Sequence, residues 1–281
     1  MDNLPIWLYI LMFSTIILEI VLNLIKIAVL FKKNQRKSYE KILLSMAIGE
    51  VIFLMIQICC LVVKYTIPHF HHWCRVGLSC AAFGDLLIVL LHLICISADR
   101  VWAVAAPIHH LVHSRNKETC IAIFLCWCIP IPFTIRYLIK MLHQSSLKSM
   151  AMEEIMSYPG FRLAVVILVT DIMFLICYVT IIVIIYKNKP PTTVNTEVHR
   201  SQNRNQIRST SNGRERRVLG LCMGTIFVFI CCTTPFVVSY IKLWKAPAHF
   251  QLSSIHILTL NGIVNSVIYL AQNGCIFKNQ N

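Results

Sequence analysis

Seven apolar stretches, each long enough to cross a bilayer as a helix, account for most of the sequence. A transmembrane helix needs about 20 predominantly apolar residues to cross a hydrocarbon core that is ~30 Å thick. In chain order these stretches are spans one to seven: Ile6–Phe31, Ile42–Val63, Val76–Ala106, Thr119–Ile139, Leu163–Tyr186, Val218–Ile241 and Leu252–Leu270. We therefore predict an all-α membrane protein in which residues 1–281 form a single domain, a seven-transmembrane helix bundle.

Composition and charge support a membrane location and predict an orientation. Hydrophobic residues make up 57% of the chain and charged residues 14%, whereas a soluble domain has about 25% charged residues. Most lysines and arginines follow spans one, three and five or lie in the tail, and basic loops of this kind stay on the cytoplasmic side. We expect a multi-pass plasma-membrane protein with its N-terminus outside and its C-terminus inside. The net charge of +14 favours contact with anionic membrane lipid and requires no nucleic-acid partner.

One connection differs from the short loops elsewhere. Residues 187–217 are polar and basic and are interrupted by Pro190 and Pro191, a composition typical of disorder. We predict a disordered third intracellular loop here and a short tail at 271–281. Nearly all of the 13 cysteines fall inside the spans, where they act as small core residues, and whether Cys74 forms a disulfide stays open.

Each span also carries a distinct sequence mark, and the marks come in a fixed order. They are Asn23, "LSMAIGE" (44–50), Asp99-Arg100, Trp127, Tyr178, "CCTTPF" (231–236) and "NSVIY" (265–269). This order resembles the rhodopsin-like (class A) G-protein-coupled receptors, and the resemblance covers the whole chain. It implies a receptor without catalysis of its own that passes an unknown extracellular ligand's signal to a heterotrimeric G protein through movement of span six.

The resemblance implies an activation switch at the end of span three. In that family the arginine of the Asp-Arg motif pairs with the neighbouring aspartate, and often with an acid at the start of span six, while the receptor is off. Asp99, Arg100 and Glu215 stand at those positions. An unpaired guanidinium near the lipid boundary is costly, so a pair that breaks when span six moves acts as a switch. The remaining expected switch residues are Tyr178, Pro235, Asn265 and Tyr269.

A second polar group lies in the middle of the spans. Its members come from four helices and are Asn23, Glu50, Asp85, Asn261 and Asn265. In the family an acid at the Glu50 position, usually aspartate, helps to bind an allosteric sodium ion, so sodium is the one cofactor to consider. A water-filled network with a protonated Glu50 is the alternative. Glu19, Lys26 and Asp171 are further intramembrane charges without an assigned role.

The chain departs from the family pattern at several positions. Thr233 replaces the usual tryptophan two residues before Pro235, Ser266 replaces the proline of the span-seven motif, and Thr170 stands where span five often has proline. The loop before span five lacks its cysteine. Details of activation in the family therefore do not transfer directly.

The expected ligand pocket is apolar. By resemblance its lining residues are Ala82, Phe83, Leu86, Phe236, Val237, Tyr240 and Ile255, none of them charged. Arg136 and Lys140 near the outer end of span four would suit an anionic amphiphile, but snorkelling to the interface explains them as well.

Partners and alternatives follow from what the loops and spans contain. The tail has no serine or threonine, so phosphorylation and arrestin recruitment are assigned to loop 187–217.

Histidines lie on both sides of the membrane, at 69, 71 and 72 and at 109 and 113. This separation argues against the converging ligands of a metal hydrolase, and we expect no metal centre. The alternative function is a seven-helix transporter or channel that uses the intramembrane carboxylates.

Overall fold

The fold was obtained as a computed structural model. It describes residues 6–33, 36–106, 116–146, 152–187, 220, 223–238, 257 and 260–271. Helices make up all of the longer described segments, and no strand occurs in them. The predicted bundle of membrane helices is confirmed. Loop 187–217 beyond its first residue, and the tail beyond its first residue, lie outside the described ranges.

Five helices are long and apolar enough to cross a membrane, and two shorter apolar helices represent spans six and seven. Span one is Ile6–Phe31, as predicted. Span two is Ser38–Thr66, and span three is His71–Ala105, which follows a short 3-10 turn at Pro68–Phe70. Span four consists of two helices, Asn116–Cys128 and Pro130–Ser146. Spans five, six and seven are Met152–Lys187, Met223–Val238 and Leu260–Ala271.

Span four differs from the prediction of one continuous helix. The first helix ends at Cys128, the Ile129 N–H still donates to the Leu125 carbonyl at 3.0 Å, and a second helix begins at Pro130. Proline lacks an N–H and is tolerated only in the first turn of a helix, where that donor has no partner. Pro130 and Pro132 both occupy the first turn of the second helix, which is why span four breaks there.

Polar side chains fix the junction between spans one and two. Arg36 lies beyond the end of span one and donates through Nε to the Leu30 carbonyl at 2.9 Å and through Nη2 to the Phe31 carbonyl at 3.2 Å. These carbonyls lie in the last turn of span one, beyond the reach of N–H donors within the same helix. A cation at this end also interacts favourably with the negative end of the helix dipole. At the start of span two the Glu40 carboxylate accepts the Lys37 N–H at 3.0 Å.

Span three is the central helix and packs against spans two, four and five. Glycines let spans two and three approach closely: a Cβ atom at Gly84 would lie 2.6 Å from the Phe53 ring, and one at Gly49 would lie 2.9 Å from Ile88. Phe174 of span five and Phe229 of span six meet edge to face, with ring centroids 6.0 Å apart. The outward faces are apolar and exposed on every span, as a lipid-facing surface requires.

Candidate functional sites

The first site, which we call the helix-end cluster, consists of Lys33, Tyr39, Glu40, Asp99 and Arg100. Arg100 donates through Nε to Asp99 Oδ2 at 3.0 Å, and a second guanidinium nitrogen contacts the same carboxylate. The other side of the guanidinium lies over the Tyr39 ring, 4.5 Å from its centroid. The two charged side chains are 13% and 12% exposed. The predicted Asp99–Arg100 pair is therefore present, and Tyr39 of span two is a partner that the sequence did not indicate.

The helix-end cluster continues through Glu40 towards span seven. Glu40 accepts a hydrogen bond from Lys33 Nζ at 2.7 Å, and the Tyr39 hydroxyl lies 3.4 Å from the same carboxylate oxygen. Lys33 Nζ also lies 6.0 Å from the centroid of the Tyr269 ring. The ends of spans one, two, three and seven thus meet through charged and aromatic side chains, with predicted switch residue Tyr269 at one edge.

The other predicted switch residues are distributed more widely. Tyr178 is buried in the main apolar core, whereas Pro235 is half-buried in span six. Asn265 lies in span seven, where its Nδ2 donates to Asn261 Oδ1 at 3.2 Å. Glu215, the expected second partner of Arg100, lies outside the described residues, so that pairing stays a prediction.

The second site, which we call the membrane-centre cluster, consists of Glu19, Asn23, Lys26, Glu50 and Asp85. Lys26 Nζ lies 3.8 Å from Glu50 Oε2, and both side chains are 1% exposed. Asn23 adjoins Glu50, while Glu19 interacts electrostatically with Glu50 and Asp85. The structure therefore brings together three of the five predicted residues and adds two charges, Glu19 and Lys26, for which the sequence had suggested no role.

Several polar atoms in the membrane-centre cluster lack hydrogen-bond partners among the described residues. They are Lys26 Nζ, both carboxylate oxygens of Glu50, Asn23 Nδ2 and Asp85 Oδ1. A buried polar atom without a partner is costly, especially where water is scarce. Lys26 and Glu50 therefore attract each other at a distance longer than a hydrogen bond, whereas the Glu19, Glu50 and Asp85 carboxyl groups disfavour one another's charged forms.

Span seven closes the membrane-centre cluster on one side. Ser266 Oγ donates to Asn23 Oδ1 at 3.0 Å, joining spans one and seven. Gly262 contacts the Glu19 carboxyl group so closely that a Cβ atom there would overlap it. Ser266 stands where the family pattern has proline, and its hydroxyl reaches span one. Asn261 and Asn265 pair with each other, and the Asn265 Oδ1 atom has no hydrogen-bond partner in the described residues.

A third polar contact joins spans two, three and four. His92 is fully buried, with Nδ1 2.8 Å from the Ile88 carbonyl and Nε2 3.0 Å from Ser45 Oγ. A carbonyl only accepts, so Nδ1 carries the proton and the Ser45 hydroxyl donates to Nε2. Trp127 Nε1 in turn donates to Ser45 Oγ at 2.9 Å. Trp127 is one of the family marks and Ser45 lies within the mark "LSMAIGE", whereas His92 was missed; a histidine inside an apolar span was the available signal.

A fourth polar contact joins spans five and six. Thr233 Oγ1 lies 3.0 Å from Asp171 Oδ2 and 2.9 Å from the Phe229 carbonyl of its own helix. The hydroxyl has one proton, so it donates to one of these acceptors at a time. Both side chains are buried. Thr233 therefore gives the otherwise unassigned Asp171 a hydrogen-bond partner on span six.

The predicted pocket residues do not form one open cavity lining. Leu86, Phe236 and Val237 are buried in the main apolar core. Phe83 stacks on Tyr137 of span four, with centroids 4.8 Å apart and planes 17° apart. Ala82 is exposed, and Tyr240 and Ile255 lie outside the described residues.

The histidines and cysteines of the described residues form no candidate metal site. Within the described ranges no three His, Cys, Asp or Glu side chains converge as metal ligands. His69 is exposed, whereas His109 and His113 lie beyond those ranges. Cys74 is a buried free thiol, and Cys95 and Cys126 face each other with their sulfurs 3.4 Å apart.

Comparison with known proteins assigns the family. The model of the 7 transmembrane receptor (rhodopsin family) matches residues 23–269, from Asn23 in span one to Tyr269 in span seven. The chain therefore belongs to the rhodopsin-like receptor family and is a multi-pass membrane protein. A search of curated proteins found no match.

Proposed function

We propose that this receptor couples an extracellular ligand to a heterotrimeric G protein through movement of span six, without catalysis of its own. The observation that carries the proposal is Arg100, held by Asp99 and the Tyr39 ring at the end of span three. A partly exposed guanidinium with replaceable partners can exchange them for groups of a docking protein at little desolvation cost. Membership of the rhodopsin family supports a G protein as that docking protein.

G-protein activation in cells tests this proposal. Wild type, Arg100→Ala and Lys117→Ala would be expressed at matched surface levels with a panel of G-protein biosensors and exposed to ligand libraries. Lys117 is an exposed lysine at the start of span four, outside the helix-end cluster, so it controls for loss of one positive charge. Signalling by wild type and Lys117→Ala that is absent in Arg100→Ala is expected. Signalling that survives Arg100→Ala would contradict the proposal.

The lock between Arg100 and Glu215 is part of the proposed mechanism. If the off state alone uses this pair, removal of the carboxylate shifts the equilibrium towards the active state by about fivefold for each kcal/mol lost. Glu215→Ala should therefore raise basal signalling, whereas Glu197→Ala, in the same loop, should not. Equal basal signalling by the two variants and wild type would rule out the lock.

The proposed location is the plasma membrane, with the N-terminus outside and the tail inside. The basic loops after spans one, three and five support this orientation. Antibody staining of an N-terminal tag on intact cells, with a C-terminal tag stained only after permeabilisation, is the expected pattern. The opposite pattern would invert the topology.

Arrestin is the proposed partner for shut-off, through loop 187–217. Phosphorylation adds roughly −1.5 to −2 charge per site, and the loop offers basic neighbours and seven acceptors: Thr192, Thr193, Thr196, Ser201, Ser209, Thr210 and Ser211. Alanine at all seven should abolish agonist-driven arrestin recruitment. Recruitment that is robust in wild type and intact in this variant would show that the loop is not the site.

A transporter or channel is the second candidate, and the buried charges of the membrane-centre cluster are the observation in its favour. Its distinguishing property is ligand-independent ion flux. Purified receptor in liposomes should show no flux above empty liposomes under the receptor proposal, and flux that Glu50→Gln removes would favour the alternative.

A further inference from the structure

We propose that Lys26 serves as a built-in cation in the membrane-centre cluster and takes the place of the sodium ion expected at Glu50. Lys26 is the only buried lysine or arginine in the described residues. Its ammonium lies 3.8 Å from Glu50 Oε2, in a site where both side chains are 1% exposed. The inference concerns what occupies this site and does not depend on G-protein coupling.

The residues present do not fit a bound sodium ion. Hard cations bind through several oxygen ligands in direct contact, whereas the nearest charged group to Glu50 Oε2 is the Lys26 ammonium at 3.8 Å, and no three acidic, His or Cys side chains of the described residues converge as metal ligands. A sodium ion on the Glu50 carboxylate would also lie close to Lys26 Nζ, and like charges repel strongly where water is excluded. Lys26 supplies the positive charge without an ion having to enter.

The geometry also explains how a span-one lysine reaches Glu50. Lys26 lies one helical turn from Asn23, which adjoins Glu50 and accepts a hydrogen bond from Ser266. The flexible four-carbon stem of a lysine can run along apolar neighbours and place its ammonium at a distant carboxylate. The tether makes the cation a permanent part of the receptor, so its occupancy cannot follow the sodium concentration.

Removal of the tethered cation should create a sodium response. Purified wild type, Lys26→Met and the double variant Lys26→Met/Glu50→Gln would be melted while NaCl replaces choline chloride at constant total salt. Methionine keeps much of the volume of the lysine stem without its charge. The Tm of wild type and of the double variant should stay constant, whereas that of Lys26→Met should rise by roughly 5 °C as sodium enters beside Glu50.

The outcomes are decisive even if Lys26→Met fails to fold. A wild-type Tm that rises with sodium and not with potassium at equal concentration would overturn the inference by itself. A sodium response in Lys26→Met that survives Glu50→Gln would also overturn it, because the ion would then bind elsewhere. These measurements use thermal stability alone, so their failure is distinguishable from failure of the proposed signalling function.

Discussion

The helix-end cluster and the membrane-centre cluster both contain a cation beside a carboxylate, yet they are built differently. Asp99 and Arg100 are neighbours in sequence, partly exposed, in hydrogen-bond contact and supported by the Tyr39 ring. Lys26 and Glu50 come from different helices, are almost fully buried and lie 3.8 Å apart. The first pair is the less buried and has the Tyr39 ring as a further partner, so it loses less on exchanging partners than the second pair would. Under the proposed function, this difference favours switching at the helix end and cohesion of the bundle at its centre.

The largest expected difference concerns loss of one charge from each pair. Lys26→Met leaves a buried carboxylate without a cation and should cost about 3 kcal/mol in the free energy of unfolding. Asp99→Asn should cost less than this, because asparagine keeps an oxygen acceptor for Arg100 and the guanidinium also lies over the Tyr39 ring. Thermal or denaturant unfolding of the purified receptor in sodium-free choline chloride measures both.

The matched control for this comparison is the double variant Lys26→Met/Glu50→Gln. It removes both charges, so it should recover most of the stability lost in Lys26→Met. If the losses of unfolding free energy from Lys26→Met and Glu50→Gln add up in the double variant, the two buried charges do not interact. The contrast between the two clusters would then not hold.

The next effect in size concerns the contact of Ser45 with His92 and Trp127. Ser45→Ala leaves a ring nitrogen of His92 and the indole N–H without their partner, and should cost about 1–3 kcal/mol in unfolding free energy. Ser97→Ala is the control, because Ser97 is also buried and its hydroxyl donates to the Leu93 carbonyl of its own helix, at 2.8 Å. Equal melting temperatures for the two variants would show that this contact does not stabilise the packing of spans two, three and four.

The smallest effect concerns the contact between spans five and six, where activation is proposed to act. Thr233→Val removes the donor to Asp171 and should raise basal signalling by about fivefold, as expected for a net loss of about 1 kcal/mol. Thr234→Val is the control, because Thr234 is exposed and its hydroxyl donates to the Ile230 carbonyl of its own helix, at 2.7 Å. Signalling that is unchanged in both variants would confine switching to the helix-end cluster.

The fold was predictable because each span carries its own apolar run, and seven such runs determine a helical bundle. The break in span four was not predicted, although Pro130 and Pro132 were visible, because the apolar run continues through them. The length of an apolar run predicts whether a segment crosses the membrane, and the position of proline predicts whether its helix is continuous. The two signals must be considered separately.

Prediction of the sites depended on the family pattern. The Asp99–Arg100 pair matches a family motif, whereas Lys26 does not, and its contact with Glu50 depends on the rotation of two helices. Ser266 was identified only as a departure from the family pattern. Its hydrogen bond to Asn23 joins the first span to the last. Such contacts arise from packing, which a single sequence does not specify.

The most direct test of the account is nucleotide exchange by purified G protein with purified receptor in nanodiscs, measured with and without a ligand from the library screen. Wild type and Lys117→Ala should accelerate exchange on at least one G protein of the panel, and Arg100→Ala should leave the rate at that of empty nanodiscs. Exchange by Arg100→Ala at the wild-type rate, or no acceleration by wild type on any G protein, would contradict the assignment of coupling to the helix-end cluster.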